Sequence, residues 1–220
     1  MKKLVILSFA LLVGVAAQAQ SIRIGIRGGL NLANQQIETE GLDLLNQDFD
    51  SEGRLSWQAG AVIDVGLPGM FAIQPAVLLS SKGYRFEENT LLGDFKLRAQ
   101  PLYLHVPVPI LVRVGVANMK AFVGAGPYVS FGVGGKVETE GDVVGFDFAN
   151  DGSIEWGDDN GDTFRSTDSG LILMGGIEYS GIQLALSYEL GLANIASNGD
   201  EDNITRNRTL SLTATYFLFD

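Results

Sequence analysis

Residues 21–32 read SIRIGIRGGLNL, and most even positions are aliphatic. Ile22, Ile24, Ile26, Leu30 and Leu32 share one parity, while Arg23, Gly25, Arg27, Gly29 and Asn31 share the other. A period of two makes a strand with two unlike faces. The same pattern returns at 182–190, where Ile182, Leu184, Leu186, Tyr188 and Leu190 oppose Gln183, Ser187 and Glu189. Between them, Trp57, Ala59, Ala61, Ile63 and Val65 oppose Ser56, Gln58, Gly60 and Asp64. Phe71, Ile73, Val77 and Leu79 oppose Gln74, Ser80 and Lys82. Leu102, Leu104, Val106, Val108 and Ile110 oppose Tyr103, His105 and Arg113. Runs at 119–133, 170–179 and 208–219 bring the expected strands to eight. The chain reads as all-β.

The connections carry a second regularity. After the second, fourth and sixth runs they are tight: Leu67-Pro68-Gly69, Val116-Ala117-Asn118 and Ser180-Gly181. After the first, third, fifth and seventh they are long, over 34–54, 84–96, 134–169 and 193–206. An even strand count with alternating tight turns and long loops predicts an antiparallel up-and-down transmembrane barrel, short turns on one side and long loops outside. The long segments hold 22 of the 26 acidic residues, so the outer loops are expected to be acidic.

Composition agrees and excludes several classes. The 28 glycines argue against a helical bundle, because each interior Gly costs a helix roughly 1 kcal/mol. The absence of Cys excludes disulfides, Cys-ligated metals and thiol catalysis, and a single histidine excludes multi-His metal sites. A formal charge of −11 excludes a generally basic nucleic-acid binder. Residues 1–19 read as an export signal: Lys2 and Lys3, an apolar run over 4–17, then Ala17-Gln18-Ala19 as the cleavage site. The remaining 20–220 form one expected domain, destined for the outer membrane.

Parity alone does not say which face meets lipid. Eight strand charges share the less apolar face: Arg23, Arg27, Lys82, Arg113, Lys120, Asp64, Glu178 and Glu189. The rest of that face is largely Gly, Ala and Ser. It is too sparse in charge for a solvated exterior, which carries roughly 25–35% charged residues. It suits the narrow lumen of an eight-stranded barrel, filled by side chains. The aliphatic face then meets lipid, with Phe71 and Tyr179 near the turns and Trp57 and Phe131 near the loops as aromatic girdles. Within the lumen, Glu189 is expected to reach Arg23 or Arg27.

On these residues the chain resembles the PorT-like outer-membrane β-barrel family. The matching pieces are Gly28-Gly29-Leu30-Asn31, Ile73-Gln74-Pro75 and Ser81-Lys82-Gly83. Others are the run 102–107 (LYLHVP), the run 124–129 (GAGPYV), Ser187-Tyr188, Gly191-Leu192 and Asn194-Ile195. They recur in order along the mature chain. His105 stands where the family's segment carries an acidic residue, and Pro109 is an additional proline. The resemblance implies an outer-membrane barrel. The founding member is linked to protein secretion across that membrane, while most relatives have no assigned activity.

No enzymatic constellation emerges. A catalytic His105 would need a serine within hydrogen-bond reach, and no serine motif adjoins it. Asp158-Asp159-Asn160-Gly161-Asp162 begins like a calcium loop, but Thr163 and Ser169 stand where that pattern requires Gly and Glu. Weak divalent-cation bridging by Asp158, Asp159 and Asp162 is the remaining expectation there. Gly124 and Gly126 are read as room for a narrow interior rather than a phosphate cradle. No catalytic residue, cofactor or metal site is assigned. The expected partners are outer-membrane lipid, lipopolysaccharide and an envelope or secretion protein, with a structural or surface-interaction role carried by the loops. A narrow passive pore is a further alternative.

Overall fold

The alternating runs become antiparallel strands in a computed structural model, which describes residues 21–39, 52–82, 84–90, 93–143, 146–154, 166–193 and 203–218. The expected export signal, the cleavage site and Asp158–Asp162 lie outside the described residues. The strands are β1 (Ser21–Thr39), β2 (Glu52–Gly66), β3 (Phe71–Ile73), β4 (Ala76–Ser81), β5 (Tyr84–Thr90) and β6 (Gly93–Pro107). They continue as β7 (Ile110–Val116), β8 (Met119–Val143), β9 (Phe146–Ser153), β10 (Thr167–Tyr179), β11 (Ile182–Gly191) and β12 (Asn203–Phe217).

Among the described residues, twelve segments therefore stand where eight runs were expected, and proline accounts for two of the divisions. A proline has no N–H to give the ladder. Gln74-Pro75 separates β3 from β4, and Val108-Pro109 separates β6 from β7. The sheet stays continuous across these gaps through Ile63 N–H to Pro75 O at 2.9 Å and Gln74 N–H to Pro109 O at 3.0 Å. The other added segments, β5 and β9, fall within stretches expected to be loops. Likewise β1 runs on to Thr39 and β8 to Val143. Hydrogen-bonded ladders continue past the end of apolar alternation, because the backbone pairs whatever the side chains.

All pairings between strands are antiparallel, and they run full circle. β1 pairs with β2 from Ser21↔Gly66 to Ala33↔Arg54, and with β12 from Gly25↔Phe217 to Thr39↔Asn203. From β12 the order passes through β11 and β10 to β8, then through β6 and β7 to β3 and β4, and back to β2. β5 continues the position of β4 beside β6, while β9 pairs with the far end of β8. Grouped by position, the segments occupy eight places around a closed ring. Closure leaves no edge strand along the paired stretches.

Two of the tight turns show why their residues are there. Ser180 and Gly181 both take left-handed backbone angles, φ 47° and 79°, as a two-residue hairpin turn with the right twist requires. Gly69, φ 83°, closes the turn after Leu67-Pro68.

The ring is inverted relative to a soluble protein. Ile22, Ile24, Ile26, Leu184, Leu186 and Leu212 face outward and are exposed. Phe71, Tyr179, Trp57 and Phe131 also face out, as the girdle reading required. The interior buries the opposite parity: Arg23, Arg27, Asn31, Gln58, Asp64, Ser187 and Glu189. Two apolar groups share that interior. Ala72, Leu111, Phe122, Met174 and Ala185 form one, and Val62, Ala76, Leu78 and Phe217 the other. Along β10, Ile172 and Met174 lie between Asp168 and Glu178; along β8, Phe122 lies between Lys120 and Ser130. The charges are thereby split into two groups.

Candidate functional site

The first charged group sits near the tight turns. Arg23 and Asp64 are register partners on β1 and β2, and Lys120 and Glu178 are register partners on β8 and β10. Arg23 Nη1 donates to Glu178 Oε1 at 2.6 Å and Nη2 to Glu178 Oε2 at 3.0 Å, a two-pronged contact. It also donates to Asp64 Oδ1 through Nη2 at 3.2 Å. Arg113 on β7 grips both oxygens of Asp64. Lys120 Nζ lies 3.5 Å from Glu178 Oε1. The ring of Phe217 stacks under the Arg23 guanidinium, 4.1 Å from its carbon to the ring centre.

Arg27 extends this group inward. Its Nη2 donates to Gln74 Oε1 at 2.5 Å, and its Nε to Thr215 Oγ1 at 2.9 Å. Gln74 in turn donates Nε2 to Asp64 Oδ2 at 2.8 Å. An amide thus links Arg27 to the buried carboxylate that Arg23 and Arg113 also hold. Charged donors and shared carboxylates of this kind make the strongest polar contacts available inside a protein.

The second group lies toward the other end. Lys82 Nζ is 3.3 Å from Asp168 Oδ2 and 3.1 Å from Glu189 Oε2, although the latter lies off the line of a hydrogen bond. His105 Nε2 is 3.1 Å from Glu189 Oε1, again poorly aligned, while Nδ1 and Ser130 Oγ are 2.8 Å apart. Asn207 donates to Asp168 Oδ2 at 3.0 Å. Tyr103 and Tyr128 flank the ammonium, which lies 5.5 Å and 4.9 Å from their ring centres. Lys82, His105, Asp168 and Ser130 are all buried.

All eight strand charges assigned to the inner face do point inward, and the ring brings them into these two groups. One expected pairing is corrected. Glu189 contacts Lys82 and His105, whereas Arg23 is held by Glu178 and Asp64. Parity was right, but height was not considered. Glu189 lies eight residues past the Ser180-Gly181 turn, while Arg23 lies beside the turn end of β2. Counting from the turns would have paired Arg23 with Glu178.

Asp168, Ser130 and Asn207 were missed. Asp168 fell inside a stretch expected to be loop, yet it is on β10 and fully buried against Lys82. Ser130 was not placed beside His105, although the two are register partners on β8 and β6. Ser130, His105 and Glu189 thus line up in the order of a nucleophile, a base and its orienting acid. A substrate must reach the hydroxyl for that geometry to act. Ser130 is fully buried. Gly124 and Gly126 have the steric role expected of them: a Cβ at Gly124 would strike the side chain of Leu111, and one at Gly126 the backbone of Val108.

Residues 17–197 match the family model described as outer membrane protein beta-barrel domain. Among solved structures, the chain is similar to the attachment invasion locus protein Ail of Yersinia pestis, with 12% identity and a TM-score of 0.38 over 89% of this chain and 98% of that one. It is similar to Neisserial surface protein A, with 13% identity and a TM-score of 0.40 over 90% and 99%. OprG of Pseudomonas aeruginosa gives 11% identity and a TM-score of 0.42 over 92% and 98%. No curated protein matches the chain.

Proposed function

The chain belongs to the outer membrane protein beta-barrel domain family, and from that premise we propose an eight-stranded up-and-down barrel that works through its surface, with no enzymatic activity and a closed lumen. The supporting observation is the interior: two groups of paired charges separated by Phe122, Met174 and Leu111. Buried charges packed in pairs occupy the space that water would need, and moving one costs several kcal/mol because its partner is left uncompensated. The outward aliphatic face meets outer-membrane lipid, whose lack of hydrogen-bonding groups a closed ring of strands tolerates. The long acidic segments then contact lipopolysaccharide or a protein at the cell surface, and the export signal over 1–19 is removed on the way there.

Planar-bilayer recording tests this reading. The wild-type protein is expected to give no large, stable conductance steps, and such steps would overturn the closed lumen in favour of a passive pore. Fractionation and gel mobility with and without boiling test the membrane barrel itself, and recovery as a soluble periplasmic protein would overturn it.

A second reading, an accessory of secretion or envelope assembly similar to PorT-like barrels, is favoured by one specific observation. Asn31, Gln74, Lys82 and Tyr128, four of the residues carrying that resemblance, take part in the interior contacts. A deletion strain scored for export of secreted proteins separates the readings: loss of export supports the accessory role, and normal export supports the surface role.

A further inference from the structure

At the turn end, the interior opens into a cavity of about 270 Å³, lined among others by Ser21, Met70, Arg113, Gly115 and Lys120. Bare backbone helps to keep it open. A Cβ at Gly66 would come within 2.5 Å of Ser21 Oγ, and one at Gly115 within 2.7 Å of Lys120 Cα.

The charges around this cavity are unevenly satisfied. Asp64 is shared by Arg23 and Arg113, and Glu178 by Arg23 and Lys120. Arg113 spends both terminal nitrogens on Asp64, and its Nε has no partner. Lys120 has the weakest hold: its contact to Glu178 is 3.5 Å, that carboxylate is already taken by a two-pronged arginine, and the lysine side chain is 43% exposed. The ammonium with most capacity to spare is therefore the one at the cavity. In a chain of formal charge −11 this mouth is locally cationic.

We propose that the turn-side mouth is an oxyanion site that seats a phosphate group against Lys120, with Ser21 as a second donor and Arg113 as the cationic floor. Several donors around one concavity suit a tetrahedral group with oxygens on every side. The cavity is larger than a bare phosphate, which leaves room for an ester substituent beside Leu67, Met70 and Phe71. The group comes either from a phospholipid headgroup at the membrane edge or from a free phosphate ester. This inference does not depend on what the loops bind.

The test uses the folded protein in a phosphate-free maltoside detergent. Inorganic phosphate, glycerol phosphate, short-chain phosphatidylglycerol and acetate are titrated by calorimetry at low ionic strength, where an exposed charge is least screened. At least one phosphate ester is expected to bind more tightly than acetate. Lys120→Gln should weaken that binding about tenfold or more, as loss of a charge-assisted bond does. Lys136→Gln, changing an exposed lysine at the other end of β8, should leave the affinity unchanged. Equal binding of glycerol phosphate and phosphatidylglycerol assigns the site to free esters; binding of the lipid alone assigns it to headgroups. Acetate binding as tightly as phosphate, or phosphate affinity indifferent to Lys120→Gln, would overturn the proposal. Phosphate binding would stand even if the barrel proved to conduct, so the two readings fail separately.

Discussion

The two ends of the interior neutralise charge differently. Near the turns, arginines meet carboxylates in forked contacts, two of the charged pairs are direct register partners, and Lys120 reaches solvent. Toward the loops, one lysine and one histidine serve Asp168 and Glu189, with two tyrosine rings closing over the ammonium. A guanidinium presents a fixed fork that can hold two acids at once, whereas an ammonium is a point charge that gains more from surrounding aromatic faces. The first group is a network that tolerates a wet edge. The second is a sealed knot.

The largest effect is expected at the one carboxylate on which the turn-side network converges. Asp64 is fully buried and accepts from Arg23, Arg113 and Gln74, which in turn carries Arg27. Asp64→Asn leaves Arg113 without its carboxylate and Arg23 with Glu178 alone, and should cost about 5 kcal/mol, the upper end for breaking a buried pair. Denaturant unfolding in lipid, compared with wild type, measures it. A loss below about 1 kcal/mol, typical of exposed pairs, would show the network to be hydrated and loose.

Lys82→Met tests the other end. The change roughly preserves volume but strands Asp168 and Glu189, so a loss of about 3 kcal/mol is expected in the same unfolding assay. The sealed knot has a reserve the network lacks. His105 Nε2 stays 3.1 Å from Glu189 Oε1 as a polar neighbour when the ammonium is removed, which moderates the loss. A loss as large as that of Asp64→Asn would remove this asymmetry, and adding His105→Ala to Lys82→Met should restore the full penalty.

How legible each end was in the sequence follows from the same physics. Parity gives the face, so Arg23, Asp64, Glu178 and Glu189 were all recognisable as inward. The tight turns give height, because register is fixed by the hairpin; Lys120 and Glu178, each within two residues of a turn, end up opposite each other. Asp168 offered no such marker. A lone acid at the loop end of a strand looks like loop, since nothing in its neighbours says that the ladder continues beneath it. Strand stagger around the ring, which brings Lys82 beside Glu189, is likewise a property of closure and not of any one run. Polar extensions such as β5 and the far half of β8 escaped for a related reason: apolar alternation reports the lipid-facing part of a strand, and hydrogen bonding goes further.

Ser130→Ala sharpens the reading of the knot. It removes the hydroxyl beside His105 Nδ1 and should cost about 1 kcal/mol, the worth of one neutral hydrogen bond. The same serine should resist labelling by a fluorophosphonate in the folded barrel, because it is fully buried. Rapid labelling that Ser130→Ala abolishes would overturn that expectation and turn the Ser130, His105 and Glu189 line into a working nucleophile.

The smallest effect is expected at Lys120, which makes it the sharpest comparison with Asp64 across the same network. Its contact to Glu178 is long, its side chain is substantially exposed, and Glu178 keeps Arg23 as partner when the ammonium is removed. No charge is stranded. Lys120→Gln should therefore change unfolding free energy by less than about 1 kcal/mol, and the small change should shrink further with added salt. A loss of several kcal/mol would mean that the wet edge is as structural as the core. A negligible one would leave Lys120 as a charge the fold does not need, held at an open mouth where only something outside the barrel can use it.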